Sequence, residues 1–140
     1  MTYSIKEVAQ KMGLSIYTLR FYDQQGLLPF VQRNAAGYRA FTEGDLRLIH
    51  TICCLKNTGM KITDIRQYID YVMAGTATIE QRRELLTAHR QKVVAKQHQI
   101  EVSLQEIDYK LATYSAPDAV AQISRKIEAA LEDHQPPVKR

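Results

Sequence analysis

Cysteine is scarce in this 140-residue chain: there are two, Cys53 and Cys54, and they are adjacent. Sequence neighbours on a helix can hardly bridge each other, so a disulfide framework is excluded, as is a four-cysteine cluster. No run of eighteen apolar residues occurs, so no membrane span is expected. The opening Met1-Thr2-Tyr3-Ser4 lacks a basic segment leading into an apolar run, which makes a cytoplasmic protein the expectation. Enzyme signatures are missing too: there is no triad spacing, no glycine-rich phosphate loop and no CxxC. Neither catalysis nor a cofactor nor a metal is expected.

What is there suits one globular domain plus an appendage, with 45% hydrophobic and 24% charged residues. The net charge of +4 is unevenly spread. Residues 1–40 hold Lys6, Lys11, Arg20, Arg33 and Arg39 against Glu7 and Asp23, an excess of three. Concentrated positive charge favours a polyanion near the N-terminus.

The apolar spacing of Ile5, Val8, Ala9 and Met12 predicts a helix started by Ser4 or its neighbours and stopped by Gly13. Ser15 reads as the N-cap of a second helix, Ile16 to about Gln25, ended by Gly26. Two short helices joined by Gly13-Leu14-Ser15 make a helix-turn-helix. Phe30–Arg33 and Tyr38–Phe41 flank a turn ending in Gly37 and read as a β-hairpin, which after a helix-turn-helix is a wing. Thr42 caps a third helix to about Asn57, with Glu43 and Asp45 matching its dipole. Thr63 is expected to cap a fourth helix ending near Gly75.

From Thr78 the pattern changes. Ile79, Leu86, Val93, Ile100, Ile107 and Tyr114 recur every seven residues, beside a second column of Arg83, Arg90, Gln97, Leu104 and Leu111. No proline or glycine interrupts this seam, which predicts a helix about 50 Å long. A lone helix cannot cover such a stripe, and the N-terminal domain is too small to cover all of it, so a homodimer is expected. Ser115–Asp118 is a break; Val120, Ile123, Ile127 and Leu131 then predict a short amphipathic helix, with order ending at Pro136-Pro137. The expected fold is mainly α. It comprises a winged helix-turn-helix domain (1–77), a coiled-coil dimerisation helix (78–114), and a short C-terminal helix and tail (115–140).

Ser4-Ile5-Lys6-Glu7-Val8-Ala9, Gly13-Leu14-Ser15, Thr18-Leu19-Arg20-Phe21-Tyr22-Asp23, Gly26-Leu27-Leu28 and Gly37-Tyr38-Arg39-Ala40-Phe41 together closely resemble the DNA-binding domain of the MerR family of transcription regulators. The resemblance covers residues 3–77, and the long helix extends it to Tyr114. It implies an antiparallel homodimer on double-stranded promoter DNA, distorting the duplex so that RNA polymerase engages both promoter elements.

On the second helix, Ile16 and Leu19 face inward with one edge of the Phe21-Tyr22 pair, leaving Tyr17, Thr18 and Arg20 outward. Arg20 can read guanine bidentately or clamp a phosphate, while Thr18 suits a thymine methyl or a backbone oxygen. A competing role for Arg20 is an ion pair with Asp23 three residues on. By resemblance, Phe21 approaches the sugar-phosphate backbone with Tyr22 behind it. In the wing, Arg33, Tyr38 and Arg39 are expected at phosphates and Asn34 and Gly37 at the turn. Packing on the third helix is the other role open to Tyr38. Lys61 matches a backbone-contacting position of the family, with a merely solvated lysine as the alternative.

On a wheel of roughly 100° per residue, Leu46, Leu48, Ile49, Ile52, Cys53 and Leu55 share one arc, so Cys53 points into the core. Cys54 lies on the flank with His50 and Arg47, neighbours that favour the nucleophilic thiolate. Its place near a helix C-terminus opposes that charge. The stretch Ile52–Gly59 resembles the Nml-type, aldehyde- and thiol-stress-responsive branch of the family, which implies that Cys54 senses electrophiles. The added Cys53 departs from that pattern, and inert packing of both thiols is the rival reading. Metal-responsive relatives carry cysteines beside the long helix. Here those regions read Gly75-Thr76-Ala77-Thr78 and Ser115-Ala116-Pro117. Drug-sensing relatives need a large C-terminal domain, which 26 residues after Tyr114 cannot form. The alternatives are an architectural, excision-type DNA-bending protein without effector sensing, or a metal-responsive regulator of the same family.

Overall fold

Ser4 opens the first helix through a reciprocal capping box: its hydroxyl accepts from the Glu7 amide at 3.2 Å, and its own amide donates to Glu7 Oε1 at 3.1 Å. The computed structural model describes residues 1–134, so the expectation for Pro136-Pro137 lies outside the described residues. Helix α1 is Ile5–Met12, closed by Gly13 in the left-handed region at φ 66°. Ser15 then caps α2, Ile16–Gln24, accepting from the Thr18 amide at 3.0 Å. Strands β1 (Gln32–Arg33) and β2 (Arg39–Ala40) form an antiparallel pair in the register Gln32 to Ala40 and Arg33 to Arg39. An isolated bridge between Tyr3 and Phe41 ties the N-terminus to the end of this wing.

Thr42 and Asp45 form a second capping box at the start of α3, Glu43–Asn57. Helix α4 is Ile62–Met73 and corrects one expectation: Lys61 holds its N-cap position without a side-chain bond, and Thr63 lies inside the first turn. The physical reason is burial. Ile65 and Ile69 are fully buried and Ile62 half-buried, so packing of the apolar stripe fixes the helix start over the capping preference of threonine. A 3-10 turn, Gly75–Thr78, leads into α5, Ile79–Ser115; α6 is Ala119–Asp133. Among the described residues no helix is long and apolar enough to cross a membrane.

The chain divides into two compact units, Met1–Val93 and Val94–Arg140. The core of the first joins Val8, Leu19, Leu27, Phe41, Ile49, Ile52, Ile65 and Ile69, all fully buried. Each such side chain contributes about 1.5–3 kcal/mol on burial. Leu85 and Leu86, at the start of α5, pack against this core. The heptad seam therefore divides: Leu86 is covered by its own domain, whereas Ile100, Ile107 and Tyr114 stand more than half exposed. In the second unit, Lys126 of α6 donates to the Tyr109 hydroxyl at 3.1 Å and lies 4.8 Å from its ring centroid. That bond pulls the phenol below its ordinary pKa.

Candidate nucleic-acid interface

Helix α2 presents its polar side as its spacing requires. Leu19 is fully buried and Tyr22 is only 6% exposed, so Tyr22 belongs to the core and stands behind the half-buried Phe21. Tyr17 is 80% exposed, and Arg20 is also exposed. Thr18 is half-buried, with its hydroxyl 2.9 Å from that of Ser15. The cap thus fixes the Thr18 rotamer at the first turn. Among the described residues Arg20 makes no ion pair, so its guanidinium is available for a ligand.

The wing is shaped by Asn34. Its side-chain oxygen accepts from the amides of Ala36 at 3.0 Å and Tyr38 at 3.1 Å. Its amide donates to the Tyr38 carbonyl, and Gly37 closes the turn at φ 85°, a conformation costly for other residues. The tip lifts Tyr38 to 73% exposure, away from the packing on α3 that was its alternative role. Arg33 bends back to the Gly37 carbonyl at 2.7 Å while staying exposed. Lys61 is exposed before α4, where the first amides of the helix favour an anion.

Arg39 is engaged within the protein. Its Nε and Nη2 donate to the two carboxylate oxygens of Asp23 at 3.2 and 2.8 Å, and its Nη1 donates to the Val31 carbonyl at 2.7 Å. Both side chains are about one-third exposed or less, 28% for Arg39 and 32% for Asp23. Asp23 therefore pairs across the fold with Arg39, and not with Arg20. Sixteen residues separate the partners, so helical spacing could not reveal them. The available signal was that Asp23 is the single acid between Glu7 and Glu43.

On α3, Ile49, Ile52 and Leu55 are buried, Leu48 and Cys53 half-buried, and Cys54, His50 and Arg47 exposed. Burial pushes the Cys53 thiol above its ordinary pKa, opposed by a hydrogen bond from Tyr22. Cys54 Sγ lies 3.6 Å from His50 Nε2.

Comparison with known proteins agrees with this geometry. Residues 3–72 match the family described as "MerR HTH family regulatory protein", and residues 46–110 match "MerR, DNA binding". A Haemophilus influenzae protein named as an uncharacterized HTH-type transcriptional regulator is 40% identical over 88% of this chain and 91% of its own length. The Bacillus subtilis HTH-type transcriptional regulator AdhR is 35% identical over 65% of each chain. The crystal structure of HiNmlR, a MerR family regulator lacking the sensor domain, bound to promoter DNA, is similar at TM-score 0.79 and 40% identity. That similarity covers 86% of this chain and 96% of HiNmlR.

Proposed function

Because the chain belongs to the MerR family of DNA-binding transcription regulators, we propose that it works in the cytoplasm as a homodimer on promoter DNA. Each subunit sets α2 into a major groove and lays its wing along the backbone. The observation that carries this reading is the pairing of an exposed Tyr17 and Arg20 on α2 with a lifted Tyr38 on the wing. Residues 1–77 supply the contacts and α5 the dimerisation. The uncovered stripe from Ile100 to Tyr114 supports the second role.

Distortion follows from arithmetic. Each surplus base pair between promoter elements rotates one of them by about 34°, given roughly 10.5 base pairs per turn. Bending and untwisting restore alignment for RNA polymerase at an elastic cost of a few kcal/mol, offset by added protein contacts. The inducer under this reading is an aldehyde or another electrophile, taken by Cys54. The Cys54 thiol gives up its proton to solvent, its sulfur adds to the carbonyl carbon, the carbonyl π bond opens, and the oxygen gains a proton from solvent. Exposure of Cys54 and the nearby His50 imidazole support that role, while burial makes Cys53 the poorer nucleophile.

The test is in vitro transcription from the chain's own upstream promoter, with and without an aldehyde. Altered RNA output on adding the chain is expected. Bending of the duplex with unchanged transcription would instead identify an architectural protein.

A further inference from the structure

We propose that Asp23 and Arg39 clamp the wing to the recognition helix, so that an acidic residue within a polyanion-binding domain is required for DNA binding. The inference rests on the DNA-binding reading above. Asp23 sits in the last turn of α2, where a negative charge opposes the helix dipole. It is also a negative charge within a segment that carries an excess of three positive charges and is read as binding a polyanion, and both circumstances are unfavourable unless the carboxylate has a structural task.

That task is visible. A two-stranded ribbon of two residues per strand is marginal by itself. Worse, its register sets Arg33 directly opposite Arg39, a like-charge pair that destabilises the hairpin. The carboxylate takes the Arg39 fork from one side and the Val31 carbonyl takes Nη1, drawing Arg39 away from Arg33 and fixing β2 against α2. With three of its five N–H groups committed, Arg39 is a positioning residue, and so is Asp23. The pair has a second effect. A carboxylate occupied by Arg39 does not capture Arg20, its neighbour three residues back, which keeps the reading side chain unpaired.

The experiment uses the full chain and a duplex selected by the wild type from a random-sequence pool, with affinity measured against salt concentration. Asp23→Asn adds a positive unit, so electrostatics alone would tighten binding. The clamp predicts instead a loss of about tenfold over two half-sites, with the salt slope unchanged. Arg39→Lys, which keeps the charge but loses the fork, should fall by a similar factor, and the double variant should be no worse than either single one. Asp23→Glu should recover part of the loss. Unchanged or tighter binding by Asp23→Asn, or wild-type affinity in Arg39→Lys, overturns the clamp.

Amide exchange of Asn34 and Gly37 in DNA-free protein gives a separate readout. Several-fold faster exchange in Arg39→Lys supports the clamp, and wild-type rates refute it. If the wild type selects no duplex, the DNA-binding reading fails and the exchange rates alone decide the clamp.

Discussion

His89 Nε2 on α5 is hydrogen-bonded to the hydroxyl of Thr58 at 2.7 Å, and that hydroxyl lies 2.7 Å from the carbonyl of Cys54. The first part of α5 is thereby bonded to the end of the helix that carries the cysteines. Beside this link lies a cavity of about 240 Å³ lined by Met60, Lys61, Leu85, His89 and Lys92 among others. Two hydrogen bonds separate the Cys54 carbonyl from the His89 ring on α5.

Thr58→Val should break that chain while keeping the shape of the side chain. The loss of about 1 kcal/mol should lower the melting temperature by roughly 3 °C for a chain of this size. Calorimetry checks this, and nitrogen chemical shifts of the His89 ring should show loss of the hydrogen bond at Nε2. An unshifted ring would remove the link.

Arg20→Ala should abolish sequence discrimination, costing about 1–3 kcal/mol per half-site if the contact is bidentate to guanine. A competition assay between selected and random duplexes measures it directly. Equal loss on both duplexes would reduce Arg20 to a phosphate contact.

Ile100→Asp with Ile107→Asp should convert a dimer into a monomer of 16.0 kDa without unfolding the first unit, since neither residue lies within Met1–Val93. Light scattering reads the mass. The monomer should lose most of its affinity because the second half-site no longer benefits from effective concentration. A wild-type mass of 16.0 kDa at micromolar concentration would refute the dimer.

The two thiols should separate by pH. Burial holds Cys53 neutral beyond its ordinary range, so alkylation at neutral pH should mark Cys54 first by mass spectrometry. The sign for stability follows from linkage. Below the ordinary thiol pKa both folded and unfolded chains carry neutral Cys53, and its stabilising contribution is complete. As pH rises from about 8.5, the unfolded chain ionises first and stability falls until the folded thiol also ionises. Cys53→Ala should flatten that alkaline slope, and Cys54→Ser should abolish aldehyde induction while leaving the slope intact. Full induction in Cys54→Ser would end the sensing role.

Much of this architecture was legible in the sequence because it is encoded locally. Gly13, Ser15 and Thr42 each act on residues within one helical turn, and their caps stand where the spacing puts them. The heptad seam was legible as well, although which part the first domain covers depends on the packing of Leu85 and Leu86. Thr63 misled because burial of Ile65 outweighs a cap. The Asp23–Arg39 pair and the Thr58–His89 bond were not legible, since their partners lie 16 and 31 residues apart. Side chains that meet across the fold leave no periodic trace.

If the bare stripe on the far part of α5 is where two copies meet, the abundance of the chain becomes a control variable. Under the proposed dimerisation, where subunits are scarcer than their own dissociation constant the dimer population rises as the square of total concentration. Operator occupancy then rises with the same square. Doubling synthesis would raise occupancy about fourfold in that regime, and halving it would lower occupancy to about a quarter. A regulator that dimerises through this helix would respond to its own dosage.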